Sequence, residues 1–296
     1  MQQPPSPFSW TFDPATIIFL IALLAAYLVA IGPLRPRYQP DEPVARRYII
    51  NFVSAWALLA LTLISPLDAL GRGYLFAAHT LQLFIIITAV APLLMLGLPD
   101  TLGYRLLPTR KLREVGRDPL FTVVALVLFN LLILVWHAGP FYEAALHSAP
   151  LHDLQMLTFL VAGVLTWWPL LTPADQHHRL AHPMQILYLA AESLPLDVFG
   201  IFTLFAAGPF YQTYANAPRV IGWLSVIADQ QVGGGILAVP GNIVDIIIMS
   251  IVFFGWVNQI ERIQRERERI KYGEEDAAHE AIAPSIDAAA PLAPNE

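Results

Sequence analysis

The sequence predicts an all-α membrane protein, a bundle of seven transmembrane helices. Of its 296 residues, 56% are hydrophobic and only 14% are charged, which excludes an ordinary soluble globular protein. Apolar runs of roughly 20 residues recur along the chain, and a helix needs that length to cross the hydrocarbon of a bilayer. The chain has no cysteine, so disulfides, thiolate metal sites and thiol redox chemistry are excluded.

The chain divides into four regions. Residues 1–14 form a polar, proline-rich lead on the outer side, without the basic start of a cleavable signal peptide. Residues 15–259 hold the seven predicted helices. Residues 260–276 alternate Glu and Arg at helical spacing, which predicts a charged cytoplasmic extension of the last helix. Residues 277–296 are rich in Ala and Pro and are predicted to be a disordered cytoplasmic tail.

The seven predicted helices follow from the apolar runs. Pro92 and Pro195 fall within the third and sixth of them, and because proline removes a backbone hydrogen bond, both helices are expected to kink. The predicted spans are 15–31, 48–64, 74–98, 120–136, 151–171, 184–207 and 232–257.

The basic residues predict the orientation of the bundle. Alternate crossings by seven helices place all of the 17 lysines and arginines on one face except Arg72 and Arg219. Cytoplasmic loops collect Lys and Arg. The N-terminus is therefore predicted to lie outside and the C-terminus in the cytoplasm.

This topology brings side chains that can bind metal to one surface. His79, His137, His152 and Asp229 come from four helices and lie at the outer face or in the outer third of the membrane. Helical bundles build metal and cofactor sites in this way, from facing helices. Met156 follows His152 by four residues on the same helix face, and a His/Met pair suits Cu(I) better than Zn(II) or Mg(II). These five residues are the candidate metal ligands.

The same residues have a simpler interpretation. A histidine at a helix end is often an interfacial residue with its ring bonded to water, and His137 and the loop residue His147 fit that description. Met156 in an apolar helix also fits ordinary packing. The convergence of several helices on one surface is what favours a metal site.

Three acidic residues fall within the predicted spans. Glu192 and Asp197 lie in the sixth helix and Asp245 in the seventh. Ionisable groups in hydrocarbon are costly, so they are expected to face the interior in a paired or functional role. Asp245 has no basic residue in its own span, which favours a hydrogen bond or a protonated state. A proton or ion path is one interpretation.

Short motifs follow one another at helix ends from the second to the seventh predicted helix. They are HTLQ at 79–82, APLLMLGLP at 91–99, WH at 136–137, LH at 151–152, WWP at 167–169, GPFY at 208–211, DQQ at 229–231 and PG at 240–241. In this order they resemble the CtaG family of cytochrome c oxidase assembly factors, polytopic bacterial membrane proteins implicated in delivering copper to haem-copper oxidases. The resemblance implies a protein of the bacterial plasma membrane that is not an enzyme, assists copper delivery on the outer face, and contacts oxidase subunits and lipid but no nucleic acid.

The chain departs from the family pattern at two places. Where the family usually has a second histidine after the glutamine of the first motif, this chain has Leu83. Where the family usually has Glu-His on the fifth helix, this chain has Gln155 and Met156. Methionine can still bind Cu(I), but leucine cannot. The copper site implied by the resemblance therefore rests on fewer histidines here.

Two other interpretations remain open. One is a metal-free structural or accessory subunit of a respiratory membrane complex, in which the histidines are remnants. The other is a haem-binding protein that uses His79 and His152 as axial ligands, or a proton-translocating protein that uses the three membrane acids.

Overall fold

The computed structural model of the chain describes residues 6–37, 43–99, 119–171 and 180–287. Within those ranges the chain is helical, and seven segments are long and apolar enough to cross a membrane, which confirms the predicted fold class. In chain order the helices are α1 (Pro14–Ile31), α2 (Arg46–Ile64), α3 (Pro66–Gly73), α4 (Phe76–Ile85), a π-helical segment (Ile86–Val90), α5 (Ala91–Leu96), α6 (Pro119–His137), α7 (Gly139–His147), α8 (Ala149–Leu171), α9 (His182–Phe205), α10 (Gln212–Asn216), α11 (Val226–Ala238) and α12 (Pro240–Asp287).

Helix starts are fixed by local capping. The Asp13 side chain accepts a hydrogen bond from the backbone N–H of Ala15, and Pro14 occupies the first turn of α1, where no N–H is needed. Ser65 is the single residue between α2 and α3, and its hydroxyl accepts from the Leu67 N–H. The chain therefore turns sharply after the second span. We call the end of the bundle that carries α3, α7 and α10 the short-helix end; it corresponds to the predicted outer face.

The third span contains a widened turn. Between α4 and α5 the backbone is π-helical over Ile86–Val90, and the Ala91 N–H donates to the Ile86 carbonyl, five residues back. Pro92 has no N–H and its ring crowds the carbonyl four residues earlier, so an ordinary α-turn is disfavoured here. The irregularity predicted at Pro92 takes this form, whereas α9 runs through Pro195 as one continuous helix.

The seventh span begins earlier than predicted. It starts at Val226, where the Ser225 hydroxyl accepts from the Ala228 N–H, and it restarts at Pro240 as α12. Asp229 and Gln230, expected to precede the helix, lie inside α11 and are buried. Hydropathy missed residues 226–231 because Asp229 and Gln230 are polar, yet their side chains bond to neighbouring segments and not to water.

Side chains from seven segments form the main hydrophobic core: α1, α2, α4, the π-helical segment, α6, α8 and α11. In α4, α6 and α8 a core residue lies one helical turn from a histidine: Leu83, Ile133 and Met156. Outward-facing apolar side chains cover the long helices, as expected for contact with lipid. The three histidines therefore lie between the hydrophobic core and the short-helix end of the bundle.

The last helix is longer than the composition predicted. α12 continues to Asp287, past the start of the region 277–296 that was expected to be disordered. The alanines of this stretch favour helix, which explains the continuation. Residues 288–296 lie outside the described part of the chain. So do Arg105, Arg110, Lys111, Arg113, Arg117 and Arg179, on which the predicted orientation partly depends, and the orientation stays a prediction.

Candidate metal centre

Three helices place a histidine at one point inside the bundle. His79 of α4, His137 at the end of α6 and His152 of α8 are 0%, 5% and 1% exposed. The ring centroids of His79 and His137 are 6.5 Å apart, and those of His79 and His152 are 6.2 Å apart. Full burial excludes the simple interpretation in which these rings are bonded to bulk water at the membrane surface. The structure therefore brings together the three histidines that the sequence singled out.

Almost all the ring nitrogens of this cluster lack a hydrogen-bond partner. Among the described residues, neither nitrogen of His79 or His152 has one, nor does Nε2 of His137. Nδ1 of His137 lies 2.7 Å from the Ile133 carbonyl oxygen. A carbonyl can only accept, so Nδ1 carries the proton and Nε2 presents a free lone pair. A metal-binding histidine is commonly oriented in this way.

Gln155 adds a second unpartnered polar group to the cluster. It is fully buried, and both atoms of its side-chain amide lack a partner among the described residues. Gln155 follows His152 by three residues and precedes Phe159 by four, so the three share one face of α8. The Phe159 ring lies 6.4 Å from His79 and 6.1 Å from His137. The amide is therefore on the face of α8 that looks at the histidines.

Three tyrosines close the cluster toward the short-helix end. Tyr142 of α7 lies 4.9 Å from His79, ring to ring, and stacks on Tyr211 with centroids 3.8 Å apart. The Tyr211 hydroxyl donates to the His137 carbonyl at 2.7 Å, and the Tyr214 hydroxyl donates to the Gly71 carbonyl at 2.6 Å. These bonds tie α3, α6 and α10 together above the site.

The same tyrosines stay neutral. Burial raises the pKa of Tyr142 and Tyr214 well above the usual range, and burial likewise raises the pKa of Tyr211. Their hydroxyls thus remain protonated donors at neutral pH. The Tyr142 hydroxyl lies 3.2 Å from that of Tyr214, which itself donates to Gly71, so Tyr142 donates to Tyr214. The three tyrosines therefore form an uncharged, hydrogen-bonded layer between the histidines and the short-helix end.

A buried ion-pair network lies beside His152. Arg72 contacts Asp68 at 2.9 Å and Asp153 of α8 at 3.0 Å. Asp68 is fully buried and also accepts from Thr11 at 2.8 Å and from Gln82 at 3.3 Å. Burial raises the pKa of Asp68, although Arg72 and these hydrogen bonds oppose the rise. Arg72, one of the two basic residues predicted on the outer face, therefore joins α3 to α8.

A cavity of about 290 Å³ borders this network. His152 and Met156 lie on its wall together with Arg72, Asp68 and Asp153, and apolar side chains of α1, α2 and α8 complete it. Met156 is otherwise part of the hydrophobic core. The cavity thus connects one face of the histidine cluster to space between α1, α2 and α8.

Asp229 and His147, also singled out by the sequence, do not belong to the histidine cluster. The Asp229 carboxylate accepts the backbone N–H groups of Phe76 at 2.8 Å and Ala77 at 3.1 Å, which caps the start of α4. His147 is exposed, 3.6 Å from Glu143 and 3.3 Å from Thr213. Asp229 therefore holds the helix that carries His79, and His147 stands apart from the cluster.

The cluster is open as it stands. Within the described ranges, no three His, Asp or Glu side chains already surround one point closely enough to hold a metal ion. The unpartnered nitrogens are present, but side-chain rotations are needed to bring three of them to one point.

Sequence patterns missed part of this site. Gln155 appeared only as a departure from the family motif, and the tyrosine layer and the ion-pair network were not predicted. A usable signal was present for the tyrosines, since Tyr142, Tyr211 and Tyr214 all fall in the predicted outer connections. No local pattern could have paired Arg72 with Asp153, because 81 residues separate them.

The fold and the site together define a multi-pass membrane protein with a buried histidine cluster near one surface. Residues 25–259 match the family model described as cytochrome c oxidase caa3 assembly factor. The chain belongs to this family, the CtaG family, as the motif resemblance predicted. The apolar helices imply contact with lipid.

Two curated relatives share the region. One is an uncharacterised protein of Mycobacterium bovis and the other an uncharacterised protein of Mycobacterium tuberculosis, each 26% identical over 275 residues that cover 88% of this chain. The matched region is 41% of each relative, so the chain spans about two fifths of their length. No solved structure matches the chain.

Proposed function

We propose that this chain is a non-enzymatic assembly factor that holds Cu(I) between His79, His137 and His152 and passes it to a haem-copper oxidase. The observation that carries the proposal is the set of five unpartnered ring nitrogens on three buried histidines. Membership of the caa3 assembly factor family supports the oxidase as recipient. Copper is here a cargo and leaves the protein at the end of the process.

Energetics support a bound cation at this place. A buried polar group without a partner costs about 1–3 kcal/mol, so a folded protein seldom keeps several together. Neutral imidazole nitrogens with free lone pairs are good ligands for a transition metal. Binding of a cation would use one lone-pair nitrogen of each ring and so reduce the penalty. The hydrogen bond from Nδ1 of His137 to Ile133 already fixes the tautomer that binding needs.

The donor set favours Cu(I) over harder ions. Imidazole is the main donor, and the nearby thioether of Met156 is soft. Mg²⁺ and Ca²⁺ require oxygen ligands, whereas the Asp229 carboxylate is engaged with Phe76 and Ala77. The ring centroids of His79 and His152 lie 6.2 Å apart, so both rings would be near enough to supply a nitrogen to the same ion after side-chain rotation.

The test is Cu(I) affinity, measured by competition with a chromophoric chelator under anaerobic conditions on the protein in detergent. Replacing His79 and His152 together by alanine should weaken binding by about 100-fold or more, since even loss of an outer-shell partner costs 10–100-fold. His147→Ala is the matched control, because that histidine lies at the same end of the bundle but outside the cluster, and it should leave the affinity unchanged.

The copper content of the oxidase in cells distinguishes copper delivery from a metal-free scaffold role. If copper is passed on, the double variant should lower the copper content of the oxidase while the variant itself still accumulates in the membrane. Equal Cu(I) affinity in wild type and double variant, with normal copper in the oxidase, would contradict the proposal and favour a metal-free scaffold. A Soret band in the purified protein would instead indicate haem.

Gln155 provides a second prediction. Gln155→Leu removes two unpartnered polar atoms from a fully buried position, so the free energy of unfolding should rise by about 1 kcal/mol. The Cu(I) affinity should fall roughly 10-fold, because an amide beside His152 that serves the bound ion is lost. SDS titration in mixed micelles and the chelator competition measure the two effects.

Gln185→Leu is the control for Gln155. The Gln185 amide donates to the Leu180 carbonyl at 2.6 Å, so its loss should lower the stability and leave copper binding alone. A Gln155→Leu protein that is destabilised like the control, with unchanged affinity, would show that Gln155 has no part in the site.

A further inference from the structure

A second polar site lies deeper in the bundle than the histidines. Glu192 and Asp197 of α9 and Asp245 of α12 border one cavity of about 40 Å³, which is large enough for at least one water molecule. The cavity is also bordered by Leu83, one turn beyond His79 along α4, and by Thr88 of the π-helical segment. The three acids, scattered in the sequence, therefore border the same cavity together with Leu83.

Of the three acids, Glu192 has the fewest polar neighbours that could stabilise its carboxyl group. It is only 8% exposed, and no described residue gives it a hydrogen bond, although it borders the cavity. Asp245 is equally buried, while Asp197 lies near the polar side chains of Asn242 and Ser193. An unpartnered carboxyl group beside a cavity indicates that something in the cavity serves it.

The surroundings supply no positive charge. The titratable groups that face Glu192 are Asp197 and Tyr188 on its own helix and Asp245 on α12. The other helices present uncharged side chains: Leu83 and Phe84 of α4, Ile87 and Thr88 of the π-helical segment and Trp167 of α8. Within the described residues, no Lys, Arg or His borders the cavity. Nothing on these elements can neutralise an ionised Glu192.

Electrostatics then decide which ligand the cavity takes. Several ionised carboxylates cannot remain together in a low-dielectric interior without a counter-charge, because desolvation and mutual repulsion both oppose it. Among the described residues, the acids do not surround one point as a metal site would. A proton needs no such cage and resides on a single carboxyl group. The arrangement therefore suits a proton and not a metal ion.

We propose that Glu192, with Asp197 and Asp245 around the same cavity, is a proton-binding site in the membrane interior that is protonated at neutral pH. A proton on Glu192 removes one negative charge from a cavity that no Lys, Arg or His among the described residues borders. The cavity has room for a water molecule through which this proton can be exchanged. This site is separate from the copper cluster, and Glu192→Gln should leave Cu(I) affinity unchanged.

The first test is chemical labelling of the full chain in nanodiscs with N,N′-dicyclohexylcarbodiimide. This apolar reagent reacts with protonated carboxyl groups: the acid proton moves to a reagent nitrogen, the carboxyl oxygen bonds the central carbon, and an acyl shift to nitrogen gives a stable N-acylurea. Peptide mass spectrometry should find the adduct on Glu192 at neutral pH. The adduct should be absent from the Glu192→Gln protein. It should still form on Glu192 in the Glu261→Gln protein, in which an exposed glutamate is changed. Protection by sodium ions would overturn the proposal in favour of an alkali cation.

The second test does not depend on reagent access. The infrared difference between wild type and Glu192→Gln at neutral pH should contain the carbonyl band of a protonated carboxylic acid, present only in the wild type. The conservative change from acid to amide keeps shape and should preserve the monodisperse elution of the folded protein. Absence of the band from the folded wild type would overturn the proposal, whatever the labelling shows.

Discussion

Arg72→Met should lower the free energy of unfolding by about 3–5 kcal/mol, the usual cost of removing one partner from a buried ion pair. Asp68 is fully buried and Asp153 is half-buried, and Arg72 is their shared cation. Without it, Asp68 must keep an uncompensated charge or take up a proton. The effect is measured by SDS titration in mixed micelles, with loss of helix followed by circular dichroism.

Two comparisons make the Arg72 result specific. Arg265→Met breaks an exposed pair with Glu261 on the last helix, and such pairs contribute at most about 0.5 kcal/mol. Adding Asp68→Asn to Arg72→Met removes the uncompensated carboxylate and should recover part of the lost stability. If Arg72→Met were no worse than Arg265→Met, the network would be solvated and the structural account of the His152 side of the site would fail.

Gly234→Leu should destabilise the protein by about 3 kcal/mol, the upper part of the usual range for overpacking. α9 and α11 approach so closely that a Cβ atom at Gly234 would lie 2.6 Å from the Gly200 carbonyl oxygen and 2.7 Å from the Leu204 backbone nitrogen. These are backbone atoms, which cannot rotate away. The helices would have to separate, in the manner expected for small residues at a membrane helix contact.

The next residue supplies the control. A Cβ atom at Gly235 would meet nothing within 4 Å, so Gly235→Leu should be neutral or slightly stabilising through its better helix propensity. Unfolding of both variants is compared under identical micelle conditions. Equal stability of the two leucine variants would mean that α9 and α11 do not pack as closely as described.

The close contact also matters for function. α11 carries Asp229, which caps α4 through Phe76 and Ala77, and α4 carries His79. Moving α11 away from α9 is therefore expected to disturb the histidine cluster indirectly. A Gly234→Leu protein that still folds should bind Cu(I) more weakly, whereas Gly235→Leu should bind it normally.

The sequence by itself determined the class of the protein. Seven long apolar runs fix seven helices, because a backbone in hydrocarbon must satisfy its own hydrogen bonds. The histidines His79, His137 and His152 were identified from their helix ends, and the motif order identified the family. These features depend on local composition and spacing, which are visible in one chain.

Only the tertiary structure decided which of the polar residues meet. Helix rotation brings Gln155 to the histidines, engages Asp229 in capping α4, and leaves His147 at the surface. The same packing collects Glu192, Asp197 and Asp245 around one cavity and joins Arg72 to Asp153 across 81 residues of sequence. The physical reason is that an apolar helix can rotate about its axis at little cost in lipid, so its orientation is set by contacts with neighbouring helices and not by its own hydropathy.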